Sequence, residues 1–155
     1  MRGKRATKRE VAPDPKFHNV VLAKFINKIM ERGKKTTAQG IVYDMLDIIG
    51  EKTKQDPMSV FNLAFKNVGP DVEVKSKRVG GGNYQVPVEV QGDRKLTLTI
   101  RWIVDATRSK KGRSMAQKLA DEIIAASKGE GDAMKKRLDV YRMAEANKAF
   151  AHFSR

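Results

Sequence analysis

Apolar residues recur at helical spacing along most of this chain. From Asn19 onward, Leu22, Phe25, Ile26, Ile29 and Met30 share one helix face, and Gly33 supplies a stop. A second stripe, Ala38, Ile41, Val42, Met45, Leu46 and Ile49, follows Thr36. Thr36 with Gln39 makes a capping-box pattern, in which hydroxyl and amide satisfy each other's orphan backbone donors. The third helix is the best bounded: Asp56 can cap it, Pro57 suits the first turn, and Gly69-Pro70 closes it after Phe61, Ala64, Phe65 and Val68.

The pattern then alternates. Val72, Val74 and Ser76 interleave with Glu73, Lys75 and Lys77, and Tyr84, Val86, Val88 and Val90 interleave with Gln85, Pro87 and Glu89. Gly80-Gly81-Gly82-Asn83 lies between the two runs, which predicts a β-hairpin. Pro87 cannot donate to a ladder, so its position should face the open edge of a two-stranded ribbon. Residues 94–107 fit two patterns. Leu96, Leu98 and Ile100 alternate like a strand with Thr97 and Thr99, while Leu96, Ile100 and Ile103 also fit a helix face; the local pattern leans to a strand. Ser114 and Gln117 repeat the capping box before Met115, Leu119 and Ile123, and a last helix begins at Asp132 with Met134, Leu138, Tyr141 and Ala144. Residues 1–16 hold Pro13 and Pro15 without apolar periodicity and read as an extended arm. The expected organisation is this arm followed by a single helical domain over 17–155, with the hairpin at about 72–90.

Charge changes the picture from a plain helical domain to a polyanion binder. The 155 residues hold 32 Lys and Arg against 18 Asp and Glu, for a formal net charge of +14. Such a surface repels itself and is most naturally neutralised by nucleic acid. The cations are unevenly placed. Residues 1–9 carry Arg2, Lys4, Arg5, Lys8 and Arg9 with no acid, and residues 106–120 carry Arg108, Lys110, Lys111, Arg113 and Lys118 with none either. Residues 44–56 are locally acidic, with Asp44, Asp47, Glu51 and Asp56 against Lys52 and Lys54. Basic poles beside an acidic segment favour a directional anion-binding face. No stretch approaches the roughly 20 apolar residues of a membrane-spanning helix, and the basic start runs into Arg9 and Glu10 rather than an apolar signal region. The chain has no cysteine, hence no disulfide framework and no thiol nucleophile.

Candidate chemistry points the same way. The glycine run lacks the following helix and the Lys-Ser or Lys-Thr pair of a nucleotide-binding loop. Flanked by Lys77, Arg78 and Tyr84, it suggests a slim finger that can approach a nucleic-acid backbone or stack on a base. His18 and His152 are the only histidines and stand in no triad or metal-ligand spacing, so neither an enzyme nor a metal or cofactor site is expected. Asp121 and Glu122 read as helix-surface charge, and Trp102, among Ile100, Ile103 and Val104, as core. The basic run from Arg108 to Arg113 precedes the capped helix at Ser114, where side-chain charge and helix N-terminal amides can meet phosphates together.

Several motifs, in order, resemble the family of small-subunit ribosomal protein seven, bacterial type. They are Asp14-Pro15-Lys16-Phe17, Leu22-Ala23-Lys24-Phe25-Ile26-Asn27, Gly33-Lys34-Lys35, Val79-Gly80-Gly81 leading into Tyr84-Gln85-Val86-Pro87-Val88-Glu89-Val90, Arg101-Trp102-Ile103-Val104, and the run from Arg142 to His152. The resemblance covers the chain from about residue 1 to its end. It departs from the usual pattern at the β-branched residues 91–100 and at Met45. It implies a mainly α fold, a bundle of about six helices with one protruding β-hairpin and a basic N-terminal arm, and therefore a helix over about 92–108 in place of the strand.

It further implies a non-enzymatic structural constituent of the small ribosomal subunit, cytoplasmic, that binds the 3′ major domain of rRNA and nucleates assembly of the subunit head. Exit-site tRNA, mRNA and ribosomal proteins nine and eleven of the small subunit would be its other partners. The rRNA side would use Arg2, Lys4, Arg5, Lys8 and Arg9 of the arm, Lys34 and Lys35 after the first helix, and Lys75, Lys77 and Arg78 of the hairpin. Arg94, Lys95, Arg101, Arg108, Lys110, Lys111, Arg113 and Met115 would complete it. Gly80, Gly81, Gly82, Asn83 and Tyr84 at the hairpin tip, with Arg142, Met143, Ala146 and Asn147 of the last helix, would face tRNA or mRNA. Charge alone leaves an architectural DNA-binding protein as the alternative, and behind it an RNA-acting enzyme or a membrane-surface protein.

Overall fold

The computed structural model describes every residue except 1, 2, 4, 5, 8 and 155, and the backbone alone at Ser154. Arg2, Lys4, Arg5 and Lys8 of the expected arm therefore lie outside the described residues. Two compact units are present, residues 1–40 and 41–155. The described residues are mainly helical, with one antiparallel two-stranded hairpin.

In the first unit, the Asp14 carboxylate is almost fully buried and accepts from the amides of Lys16 and Phe17, both at 3.1 Å. Helix α1 (Val20–Ile29) follows, because extended Asn19 turns its side-chain oxygen onto the amides of Val21 (2.7 Å) and Leu22 (3.1 Å). Of its expected face, Leu22, Phe25, Ile26 and Ile29 are buried, while Met30 is the half-buried C-cap just past the helix. Helix α2 (Lys35–Thr53) starts one residue before Thr36. The Ala38 amide bonds the Lys34 carbonyl, so Lys34 holds the cap position and Thr36 falls inside the first turn.

The second unit takes the rest of α2, with Val42, Met45, Leu46 and Ile49 buried. Helix α3 (Pro57–Val68) has the expected bounds, since Asp56 Oδ2 accepts from the Ser59 amide at 2.8 Å. Strands β1 (Val72–Val79) and β2 (Gly82–Glu89) pair from Val72 opposite Glu89 to Val79 opposite Gly82. That register leaves a two-residue turn, Gly80-Gly81, with φ of 56° and 89°, the left-handed pair that a tight hairpin turn demands.

Helix α4 (Gly92–Ser109) replaces the strand that local alternation favoured, as the family resemblance implied. Leu98, Ile100, Trp102, Ile103 and Val104 are all buried, which makes its apolar face unusually wide. Ser114 accepts from the Gln117 amide and opens α5 (Met115–Ser127). Helix α6 (Asp132–Ala146) leads into a 3₁₀ turn, Lys148–Ser154. Helices α3, α4, α5 and α6 pack on one another, α6 also reaches β1, and the 3₁₀ turn lies on β2.

Three expectations about charged or apolar positions fail, each for a physical reason. Leu138 is exposed, since α6 buries Ala133, Met134 and Val140, and Arg137 sits within that face and masks it in the sequence. Glu73 is buried although alternation put it outward, because Arg94 and Lys75 neutralise it. Glu122 is fully buried, not surface charge: it pairs with Lys110 and accepts from the Ala133 amide at 2.8 Å.

Candidate nucleic-acid interface

Helix α4 explains how one sequence can hide an apolar face and display a basic one. Between its two ends, Arg94, Thr97, Arg101, Asp105 and Arg108 are exposed, opposite the buried Trp102 and Ile103. The three arginines recur every seven residues, so a helix rise of 1.5 Å per residue spaces them about 10.5 Å apart along one side. Long guanidinium side chains on a rigid rod suit phosphate contact, because few rotamers need freezing per hydrogen bond made.

Other expected cations divide by whether the protein neutralises them itself. Among the described residues, Lys34, Lys35, Arg78, Arg101 and Lys111 form no ion pair and keep their charge for a ligand. Lys75 and Arg94 pair with Glu73 (2.9 and 2.7 Å), Lys95 with Asp71 (2.5 Å), and Arg113 with Asp121 (2.9 Å). Lys110 bonds buried Glu122 and lies 3.5 Å from Asp132. Lys77 donates to the Phe153 carbonyl at 2.6 Å. Arg9 is exposed, and Met115 is the half-buried first residue of α5.

These pairs leave their mark on titration. Hydrogen bonds from Lys95 and then Tyr141 hold Asp71 below the usual carboxylate range. Burial pushes Glu73 up, but the bonds from Arg94 and Lys75 outweigh it and the group ends lower. Asp121 behaves alike with Lys52 and Arg113. Burial would lower Lys110, yet Glu122 and Asp132 raise it.

The hairpin root is a site that the alternation missed. Tyr141 donates to Asp71 Oδ2 at 2.9 Å and accepts from the Asp71 amide at 3.0 Å, tying α6 to the start of β1. At the other end, Gly80, Gly81 and Asn83 are exposed and Gly82 is half-buried. Tyr84 packs against Phe150 and Phe153, with centroids 5.1 and 5.4 Å away, so one side of its ring is already covered. On α6, Arg142, Met143 and Ala146 are exposed, and Asn147 turns its amide onto the Met143 carbonyl at 2.7 Å. Trp102 is buried, as its apolar neighbours predict. No helix among the described residues is long and apolar enough to cross a membrane.

A helix presenting an arginine row, beside a basic hairpin and a cation-rich helix start, defines a nucleic-acid-binding module. Over residues 1–148 the chain matches the family described as ribosomal protein S7p/S5e. It is 58% identical over 153 residues to "Small ribosomal subunit protein uS7" of Thermotoga maritima, spanning 99% of both chains. The protein of that name in Marinobacter nauticus is 57% identical over 148 residues (96% of this chain, 95% of the relative). That in Methylibium petroleiphilum is 55% identical over 152 residues (98% and 97%). The chain belongs to the S7p/S5e family of ribosomal proteins, which are structural components and not enzymes.

Proposed function

We propose that the chain is a structural constituent of the small ribosomal subunit that binds the 3′ major domain of rRNA early and nucleates folding of the subunit head. The observation that carries this reading is the exposed Arg94–Arg101–Arg108 row on α4, in a chain of formal charge +14 whose relatives are small-subunit proteins. Each cation brought to a phosphate releases condensed counterions, and contacts of this kind fix orientation without reading bases. Lys34, Lys35, Arg78 and Lys111 add uncompensated charge, and the arm adds Arg2, Lys4, Arg5, Lys8 and Arg9. By holding separate RNA segments in one geometry, a rigid helical scaffold prepares binding sites for later proteins.

In this reading the hairpin tip and the exposed α6 residues Arg142, Met143 and Ala146 face exit-site tRNA and mRNA, and ribosomal proteins nine and eleven are the protein neighbours. The place of action is the ribosome in the cytoplasm. Support for the α6 part is the exposed, apolar Met143 beside Arg142, a pairing suited to a partner that is partly stacked base and partly phosphate. The test is equilibrium binding of the full chain to a 3′ major domain transcript, to an rRNA transcript from another domain, and to duplex DNA, across a salt series. Tighter binding to the first, with a log–log salt slope that becomes shallower in the R94Q/R101Q/R108Q variant, is expected. Equal affinity for all three, or an unaltered slope in the variant, overturns the reading.

A further inference from the structure

Glu73 combines features that an ordinary surface ion pair lacks. Its side chain is only 9% exposed, whereas those of its two partners, Lys75 and Arg94, are 55% and 48% exposed. The two carboxylate oxygens divide the work: Oε1 meets Lys75 Nζ at 2.9 Å, and Oε2 takes Arg94 Nη2 at 2.7 Å and Nε at 3.1 Å. One carboxyl group thus holds an ammonium from β1 and a guanidinium from the first turn of α4 side by side. Their separation can be no larger than two hydrogen bonds and one carboxyl allow. The acid lies behind and the cations in front, so the ligand sees positive charge from two elements at one point.

We propose that Glu73 is a positioning residue for RNA binding, setting Lys75 and Arg94 as a two-cation clasp for a single phosphate. This rests on the RNA-binding reading above and deepens it. The fork geometry of arginine leaves Nη1 and the outer edge of Nη2 unused by Glu73, and the lysine ammonium keeps two further protons. Preorganised donors lose less side-chain freedom on binding than two cations that must first find each other. The clasp also joins the hairpin root to α4, so phosphate capture there sets the hairpin's bearing on the RNA.

Sign separates this role from plain electrostatics. E73Q removes a negative charge from a cationic protein, so long-range attraction alone would tighten RNA binding. The clasp predicts the opposite: about three- to tenfold weaker binding to the 3′ major domain transcript, with a salt slope shallower by about one. E73D keeps the charge but draws the carboxylate back by one methylene, and the same loss is expected. In a double-mutant cycle, R94Q should cost much less in the E73Q background than in the wild type. The Arg94 Nε–H resonance, observed by NMR in the RNA-free full chain, checks that the pair forms and that the fold survives. Unchanged or tighter binding by E73Q and E73D in folded protein, or an additive cycle, overturns the proposal. R101Q is the control, because Arg101 has no ion pair among the described residues. If R101Q weakens binding while the Glu73 variants do not, the clasp fails and the RNA-binding reading stands; if no variant matters, that reading fails as well.

Discussion

Glu122→Ala removes a carboxylate that the second unit buries whole. Its Oε1 accepts the Ala133 amide at 2.8 Å, and Oε2 takes the Lys110 ammonium. Truncation leaves the buried Ala133 N–H without a partner, which costs about 1–3 kcal/mol. Lys110 is hurt less, because its side chain is 37% exposed and can turn to water. Adding the void left by the missing atoms brings the total to about 3–5 kcal/mol. For a chain of this length that corresponds to a Tm lower by roughly 6–20 °C. Glu122→Gln keeps an acceptor for Ala133 and should cost about half as much. Gly131, at φ 98°, adds an internal check: a Cβ there would lie 2.8 Å from Glu122 Oε1. Gly131→Ala should therefore be about 1 kcal/mol less harmful in the Glu122→Ala background, once the carboxylate collision is gone and only backbone strain and the 3.2 Å contact with Ala125 Cβ remain. Urea unfolding of the wild type, the three single variants and the double variant measures these free-energy differences. A Glu122→Ala unfolding free energy within about 1 kcal/mol of the wild type, or strict additivity, would refute the reasoning.

Trp102→Ala should cost about 3–5 kcal/mol by urea unfolding, because the ring is buried in the wide apolar face of α4; a loss below about 1 kcal/mol would mean that the ring packs loosely. Gly81→Ala places a Cβ at φ 89° with nothing within 4 Å, so its cost of about 1 kcal/mol is purely conformational and should appear as hairpin fraying in amide exchange. Asp71, Glu73, Asp121 and Asp132 all titrate below their ordinary values of 3.8 to 4.5. Their contribution is complete above those values and is lost as pH falls through the lower folded ones, so the urea midpoint should hold near neutrality and drop in acid. A midpoint that rises on acidification would contradict the pairs. Lys110 works in reverse: its contribution is present below 10.5 and disappears as pH climbs past its raised value.

Much of the fold was legible because its signals are local. Asp56 with Pro57, and Ser114 with Gln117, cap helices within four residues, and Gly80-Gly81 closes a turn between adjacent strands. Helix α4 is obscured by its own burial: Leu98, Thr99 and Ile100 are all inside, so the alternation of Leu96, Leu98 and Ile100 with β-branched Thr97 and Thr99 imitates a strand. The arginines at every seventh place were the helical signal, carried by the polar side. The burial of Glu73 and Glu122, and the place of Arg137 in the buried face of α6, are hidden from the local pattern because a partner of each stands well along the chain. Arg94 is 21 positions from Glu73, Lys110 is 12 from Glu122, and Arg137 bonds the Asn67 carbonyl 70 positions away. Candidate cations could therefore be named from sequence, but not sorted into those the protein already neutralises and those it leaves for a ligand.

The arginine row has a geometric corollary. Seven residues fall short of two full helical turns by about 20°, so the heptad spacing drifts by roughly 40° from Arg94 to Arg108. The three guanidinium groups trace a shallow left-handed path instead of a straight file. A backbone that curves around the helix keeps pace with all three, while a stiff linear one drifts away from the last. Curvature of the polyanion thereby becomes something that this surface can select without touching a single base.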